Sequence, residues 1–208
     1  MTGLLISVSG IRGVVGKTLT PEIALNYAGA FGAYLKGGKI AVGRDTRKTG
    51  SMISSAVISG LLSSGCDVID IGICPTPTIE LAVRDGGFAG GVAVTASHNP
   101  IEYNALKLIG KEGIFLSDRH GRKVQMLFSS RRFRNRDWKS SGTLSFEDKW
   151  IDYHIKQIMG LDIISPSLIK KRKLKVVADC GGGAACYMAD RFFKKSFLSF
   201  RSLVVKAN

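Results

Sequence analysis

The chain has 208 residues, which is enough for one domain and part of a second. Apolar residues make up 45% of it and charged residues 22%, so a buried core is feasible and global disorder is excluded. No apolar run approaches the ~20 residues that cross a bilayer, and the N-terminus lacks the regions of a secretion signal. We therefore expect a cytoplasmic protein that makes no membrane contact.

Short β-rich runs alternate with helical patterns over the first 118 residues, which predicts a layered α/β fold. The predicted strands are 4–8, 39–43, 67–72, 90–96, 105–109 and 113–116, the last two as a hairpin. The predicted helices are 20–35, 51–64 and 75–83. Thr20 and Pro21 provide a cap and a first helical residue for the first helix, and Gly37-Gly38 ends it.

The positive charge is concentrated in the C-terminal part of the chain. Lys and Arg outnumber Asp and Glu by 1 in residues 1–118 and by 13 in residues 119–208. Residues 129–142 are polar and non-periodic and predict a loop, which includes the basic run 131–136. A solvated loop is the favoured interpretation of that run, and nucleic-acid binding is the alternative.

Regular patterning returns after the basic loop. Residues 146–159 have helical spacing, and a strand over 174–179 is followed by a glycine turn, Gly181-Gly182-Gly183. This strand resembles the start of a new α/β unit, but only about 30 residues remain, fewer than one βαβ repeat needs.

We therefore divide the chain into three parts. Residues 1–145 form the first domain, residues 146–173 a connecting helix and linker, and residues 174–208 an incomplete second α/β unit. An unfinished unit is expected to leave Trp150-Ile151 and Val176-Val177 exposed.

The four cysteines show neither C-x-x-C spacing nor nearby paired histidines. They are Cys66, Cys74, Cys180 and Cys186. Reduced, mostly buried thiols are therefore favoured over a zinc site or a disulfide framework.

Most of the chemical information lies in the segment Thr95-Ala96-Ser97-His98-Asn99-Pro100. Ser97 follows a strand of small and β-branched residues, at the carboxyl end where open α/β sheets place ligands. Pro100 blocks regular strand pairing, so the Ser97 hydroxyl is presented on a stiff loop. His98 and Asn99 supply donors beside it, and Lys107 follows after a short connection.

Two further strand ends have a related composition. Ser9-Gly10-Ile11-Arg12-Gly13 is predicted to be a loop that closes the first strand, with glycines that let N–H groups approach a phosphate. Arg12 can supply a bidentate charge there. Gly43-Arg44-Asp45-Thr46-Arg47 ends another strand, and we expect Arg44 and Arg47 to be fold-stabilising or rim residues rather than catalytic ones. Together these strand ends indicate an anionic, phosphorylated substrate.

Four motifs in this order resemble the first domain of the α-D-phosphohexomutases. They are Ser9-Gly10-Ile11-Arg12-Gly13, Gly43-Arg44-Asp45-Thr46-Arg47, Thr95 to Pro100, and Asn104-Ala105-Leu106-Lys107. The chain is most similar to the bacterial phosphoglucosamine and phosphomannomutases, over about residues 3–118. The resemblance implies a three-layer α/β/α domain with a mixed sheet.

The resemblance also implies roles for particular residues. Ser97 would be phosphorylated and would exchange its phosphoryl group with a hexose or hexosamine phosphate through a bisphosphate intermediate. Arg12 and Lys107 match positions implicated in acid/base work and charge stabilisation, although a solvated surface role is the alternative for both. His98 matches the loop histidine, as a catalytic or a structural residue.

The resemblance also implies contacts to substrate and metal. Asn99, Gly13 and Arg44 are candidate substrate-binding residues. The family uses Mg²⁺, and this chain would contribute only the phosphate on Ser97 as a metal ligand.

The chain also departs from the family pattern. Ala105 stands where much of the family has glycine, and three later family motifs are missing: an Asp-Gly-Asp metal loop, a sugar-selecting loop and a C-terminal phosphate loop. The preferred sugar is therefore undetermined. Two hypotheses follow, a phosphohexomutase-type phosphotransferase, or a catalytically incomplete fragment that retains the first-domain fold with anion binding or no activity.

Overall fold

The computed structural model describes residues 3–131, 133, 135–195 and 199–202. Within them, one mixed sheet contains the strands β1 (Leu5–Ser7), β2 (Gly10–Val14), β3 (Gly38–Arg44), β4 (Cys66–Ile73), β5 (Gly90–Val94), β6 (Tyr103–Gly110) and β7 (Leu144–Phe146). Their order is β1-β2-β6-β5-β3-β4-β7. Strands β5, β3, β4 and β7 are parallel, and β6 is antiparallel to both β5 and β2. A separate parallel pair joins β8 (Lys175–Ala178) to β9 (Ser199–Ser202).

Helices cover both faces of the large sheet. The helices are α1 (Pro21–Leu35), α2 (Gly50–Ser63), α3 (Thr76–Asp85), α4 (Asp118–Ser130), α5 (Trp150–Met159), α6 (Pro166–Arg172) and α7 (Ala185–Lys195). Helices α1, α2 and α4 share one apolar cluster with the sheet, and α3 and α5 share another. The predicted three-layer α/β/α domain with a mixed sheet is confirmed. No helix in the described ranges is long and apolar enough to cross a membrane.

Local sequence signals account for the first helix and the central strands. The Thr20 hydroxyl accepts the N–H of Ile23 at 3.2 Å, and Pro21 occupies the first turn of α1, as predicted. Every residue of β5 is buried, as expected for a central strand covered by helices on both faces of the sheet. These strands hold the loops at their carboxyl ends in fixed positions.

Two local predictions near the first domain's edge are wrong. Residues 10–13 are not a loop but part of β2, because Gly10–Val14 pairs along its length with β6 and Ile11 enters the core. Residues 113–116 do not form a strand, since only the bridge between Ile109 and Phe115 is present after a turn closed by Gly113.

The sequence patterns also predicted no element at α4, β7, α6, α7 or β9, and two of these, α4 and β7, belong to the layers of the large sheet. Helix α4 overlaps the predicted basic loop at its C-terminal end. Its apolar residues are regularly spaced on one face, but they are few among charged and polar residues, and only Gly121 and Val124 are fully buried. Strand β7 lies immediately before α5, and the predicted helix over 146–159 therefore begins at Trp150 instead. Residues 132 and 134 of the basic run lie outside the described ranges.

The exposure predicted for the connecting helix is also wrong. Trp150 and Ile151 are 6% and 8% exposed, because α5 packs on α3 beside Phe88. In the second unit the prediction holds for Val177, which is exposed, while Val176 is half-buried. The domain limits at 145 and 173 stay predictions.

Candidate functional site

The candidate site lies where β3 and β5 end beside each other. Their parallel register places Arg44 opposite Val94, so the segment after β3 and the loop after β5 leave the sheet at the same edge. Ser97 and His98 are exposed in that loop, and Ser97 has a left-handed backbone with φ of 55°. The serine hydroxyl is therefore presented to solvent by a strained turn, as a reactive or ligand-binding side chain requires.

Local hydrogen bonds hold the turn. The Ser97 N–H donates to the Thr95 hydroxyl at 3.2 Å, and the side-chain amide of Asn99 donates to the carbonyl of Ala96 at 2.6 Å. The Ser97 hydroxyl lies 3.5 Å from Nδ1 of His98. Asn99 thus supports the loop, while His98 lies beside the serine oxygen.

Ser97 stands between two cavities of about 550 and 350 Å³. Ser97, Asn99 and Lys107 line both of them. The smaller cavity also contains Arg12 and His98, and the larger one contains Arg44. The fold therefore brings together six of the seven site residues named from the sequence.

Gly13 is the seventh, and it lines neither cavity. A Cβ there would come within 2.5 Å of the Thr18 hydroxyl and 3.1 Å of Leu19. The missing side chain at Gly13 therefore lets β2 pack against the following turn.

Arg12 and Lys107 lie on the same face of the sheet. Arg12 pairs with Ala105 across β2 and β6, and Ala105 and Lys107 are two residues apart on one strand. The Lys107 ammonium lies 5.7 Å from the centre of the Phe115 ring. Burial raises the pKa of the Glu80 carboxyl on α3, and the positive charge of Lys107 partly offsets that rise.

The larger cavity is bounded on its far side by the glycine turn of the second unit. The Thr46 hydroxyl donates to the carbonyl of Gly182 at 2.7 Å across the cavity wall. Gly181 and Gly182 both have positive φ, so the segment is the tight turn that the sequence predicted. Cys74 also lines this cavity, but burial raises the pKa of its thiol to about 12, so it is no thiolate nucleophile.

The described residues do not by themselves make a Mg²⁺ site. They contain no group of three or more His, Cys, Asp or Glu side chains placed to hold a metal. The Asp45 carboxylate approaches the Ser97 loop, but its oxygens accept hydrogen bonds from Arg47 and Thr95. A phosphate on Ser97 would be the contribution of this chain to such an ion.

Sequence reasoning did not place Asp45, Arg47 and Thr95 together. In the structure they form one hydrogen-bonded group directly under the Ser97 loop. The sequence did show that residues 43–47 end a strand. It did not show that this strand lies next to β5, because strand order is set by long-range pairing.

The sequence and the fold of this chain are similar to those of known proteins. Residues 4–135 match the family model described as phosphoglucomutase/phosphomannomutase, alpha/beta/alpha domain I. The chain is 43% identical over 187 residues to a phosphoglucomutase/phosphomannomutase of Thermococcus kodakarensis, covering 88% of this chain and 40% of the relative. It is 41% identical to a probable phosphoglucosamine mutase of the same organism, covering 88% and 39%.

A solved structure shows the same fold. The phosphoglucomutase/phosphomannomutase family protein of Burkholderia thailandensis superposes with a TM-score of 0.80 at 31% identity, covering 98% of this chain and 45% of that one. The chain belongs to the phosphoglucomutase/phosphomannomutase family. It spans about 40% of the length of the curated relatives it matches.

Proposed function

We propose that this chain carries the phosphoserine part of a phosphohexomutase-type phosphotransferase. The observation that supports the proposal is the position of Ser97, exposed on a strained turn between two cavities that both include Lys107. Phosphoryl transfer depends mainly on positioning and on cations around the transferred group. Arg12 and Arg44 add such cations, one in each cavity.

The proposed reaction has two transfers. Ser97 Oγ attacks a phosphorus of a hexose 1,6-bisphosphate, its proton leaves, and the bond from phosphorus to one sugar oxygen breaks as that oxygen gains a proton. In the second transfer, the phosphoserine gives its phosphoryl group to the free hydroxyl of a hexose 1-phosphate or 6-phosphate; the P–Oγ bond breaks, Ser97 regains a proton and the hydroxyl loses one. The bisphosphate formed in this way reorients and returns its other phosphate to Ser97, so the two transfers interconvert the 1-phosphate and the 6-phosphate. Arginine stays protonated in proteins, so Arg12 stabilises charge and Lys107 relays the proton.

The substrate class is a hexose or hexosamine phosphate. The relatives are named for glucose, mannose and glucosamine phosphates, and we propose that class without choosing among its members. Mg²⁺ belongs to the proposal as a family property, held largely by residues other than those of this chain. A cytoplasmic location and the lack of nucleic-acid binding stay predictions.

Phosphorylation of the serine is the direct test. The purified chain is incubated with Mg²⁺ and glucose or glucosamine 1,6-bisphosphate, and intact mass and peptide mapping locate any added phosphoryl group. We expect one group on Ser97, none on Ser97→Ala, and unchanged labelling in Ser59→Ala, a matched exposed serine on α2. Labelling at other serines, with Ser97 unmodified, would contradict the proposal.

A second candidate function is a catalytically incomplete fragment that keeps the first-domain fold. The lack of a metal-ligand cluster in the described ranges favours it. A mutase assay with a glucosamine or mannose phosphate, Mg²⁺ and catalytic bisphosphate separates the two. Turnover that is lost in Ser97→Ala supports the enzyme, whereas a folded chain with neither turnover nor Ser97 phosphorylation supports the fragment.

A further inference from the structure

We propose that Arg47 is a positioning residue that holds the Ser97 loop in the conformation that presents its hydroxyl. The proposal rests on the role proposed above for Ser97. The guanidinium group lies under the loop and donates to main-chain carbonyls along it. Its Nη2 donates to the carbonyls of Ser97 (2.9 Å) and Asn99 (2.7 Å), and its Nη1 to those of Pro100 (2.7 Å) and Tyr103 (3.1 Å).

These contacts use the whole guanidinium group. An arginine side chain has five N–H donors, and the fifth, on Nε, donates to Asp45 at 3.2 Å. The side chains of Arg47 and Asp45 are only 12% and 15% exposed. Arg47 therefore has no donor left for a substrate phosphate, although it lines the larger cavity.

A second set of bonds reaches Ser97 from the other side. The Asp45 carboxylate accepts the main-chain N–H of Arg47 at 3.0 Å and the Thr95 hydroxyl at 2.7 Å. The Thr95 oxygen in turn accepts the N–H of Ser97 at 3.2 Å. The strained Ser97 backbone is thus fixed at its N–H through Thr95 and at its carbonyl by Arg47.

The planar shape of the guanidinium group matters as well as its charge. Four carbonyl oxygens approach two nitrogens that lie in one plane, a geometry that a lysine ammonium with three donors cannot reproduce. Because C=O and N–H of a trans peptide point in opposite directions, holding the Ser97 carbonyl also turns the His98 N–H away from Arg47. Arg47→Lys should therefore hold the Ser97 loop less firmly than the wild type but more firmly than Arg47→Ala.

Hydrogen exchange measured by mass spectrometry tests the proposal without any phosphoryl transfer. We compare the wild type with Arg47→Ala, Arg47→Lys and the control Arg122→Ala, which removes an exposed arginine paired with Asp118 on α4. The amides of residues 96–99 and 101–103 should exchange at least about tenfold faster in Arg47→Ala, less than that in Arg47→Lys, and at the wild-type rate in the control. Unchanged loop exchange in Arg47→Ala, or equal acceleration throughout the sheet, would overturn the proposal.

The rate of Ser97 phosphorylation by hexose 1,6-bisphosphate gives the second measurement. A positioning role predicts that Arg47→Ala lowers the maximal rate by about 100-fold while the half-saturating bisphosphate concentration stays within about threefold. A higher half-saturating concentration with unchanged loop exchange would make Arg47 a substrate ligand and refute the inference. A wild type that is not phosphorylated refutes the proposed function instead, and the exchange data still decide the role of Arg47.

Discussion

Replacing Gly10 by alanine tests whether the pairing of β2 with β6 depends on a close backbone approach. Gly10 has φ of 149° and lies opposite Lys107 in the ladder. A Cβ at this position would lie 1.8 Å from the carbonyl oxygen of Leu106, and only the backbone of β2 or β6 can move to relieve the overlap. The strand that carries Arg12 must then separate from the strand that carries Lys107.

The expected cost has two parts. A positive φ costs an alanine about 1–3 kcal/mol, and retreat of β2 by more than an ångström breaks ladder hydrogen bonds that contribute about 1 kcal/mol each. We therefore expect Gly10→Ala to lower the free energy of unfolding by about 3–5 kcal/mol. Partial exposure of Ile11, which is buried on the same strand, acts in the same direction.

Gly16 is the matched control. It also has a positive φ, 81°, but a Cβ there meets no atom within 4 Å, so Gly16→Ala carries the strain without the overlap. Urea unfolding followed by far-UV circular dichroism measures both variants, and Gly10→Ala should be less stable than Gly16→Ala by about 2–3 kcal/mol. Equal destabilisation of the two variants would refute the argument from close approach.

Three further predictions concern packing and titration. Gly60→Ala should lower the free energy of unfolding by about 2–4 kcal/mol despite the better helix propensity of alanine, because the new Cβ would lie 2.2 Å from the Leu25 carbonyl oxygen. Urea unfolding measures this change, and a gain in stability would contradict the prediction. Burial lowers the pKa of His154, whose Nδ1 shares a 2.8 Å hydrogen bond with buried Thr78. In the unfolded chain the histidine has its ordinary pKa of 6.5, so it binds a proton more readily there than in the folded chain. The free energy of unfolding of the wild type should therefore fall, relative to that of His154→Asn, as pH falls through 6.5. Parallel pH profiles of the two proteins would contradict this. The Cys74 thiol, with its pKa raised to about 12, should resist iodoacetamide at pH 8 until the chain unfolds, and peptide mapping that finds it labelled in the folded chain would disprove this.

The order of strands and helices could largely be predicted from local signals. The cap at Thr20, the glycines at 37 and 38 and the alternation of strands with helices were sufficient for α1, β3 and α2. The same kind of signal located Ser97, because a buried strand that runs into Ser97-His98-Asn99-Pro100 must leave the sheet there. These signals depend on a few neighbouring residues, so they can be recognised in the sequence without knowing the fold.

Local signals were insufficient where an element depends on a distant partner. Strand β7 is only three residues long, and all three are exposed. It forms because it pairs with β4, which lies more than 70 positions earlier in the chain. Gly10–Val14 looked like a phosphate loop because of its glycines, yet one of these glycines serves close pairing with β6. Helix α4 has regularly spaced apolar residues, but charged residues dominate its first turns, and no helix is predicted there from the sequence.

The candidate site shows the same division. Residue types in the sequence pointed to Ser97, Lys107 and Arg12 as candidate phosphate-handling groups, and that assignment stays a prediction. The sheet order alone brings Arg47 to the carbonyl of Ser97, 50 residues further along the chain, where four of its five donors bond main-chain carbonyls and the fifth bonds Asp45. Sequence by itself thus determined most elements of the large sheet and the candidate reactive side chains, whereas tertiary structure decided which charges face the cavities and which hold the loop, because long-range pairing brings them together.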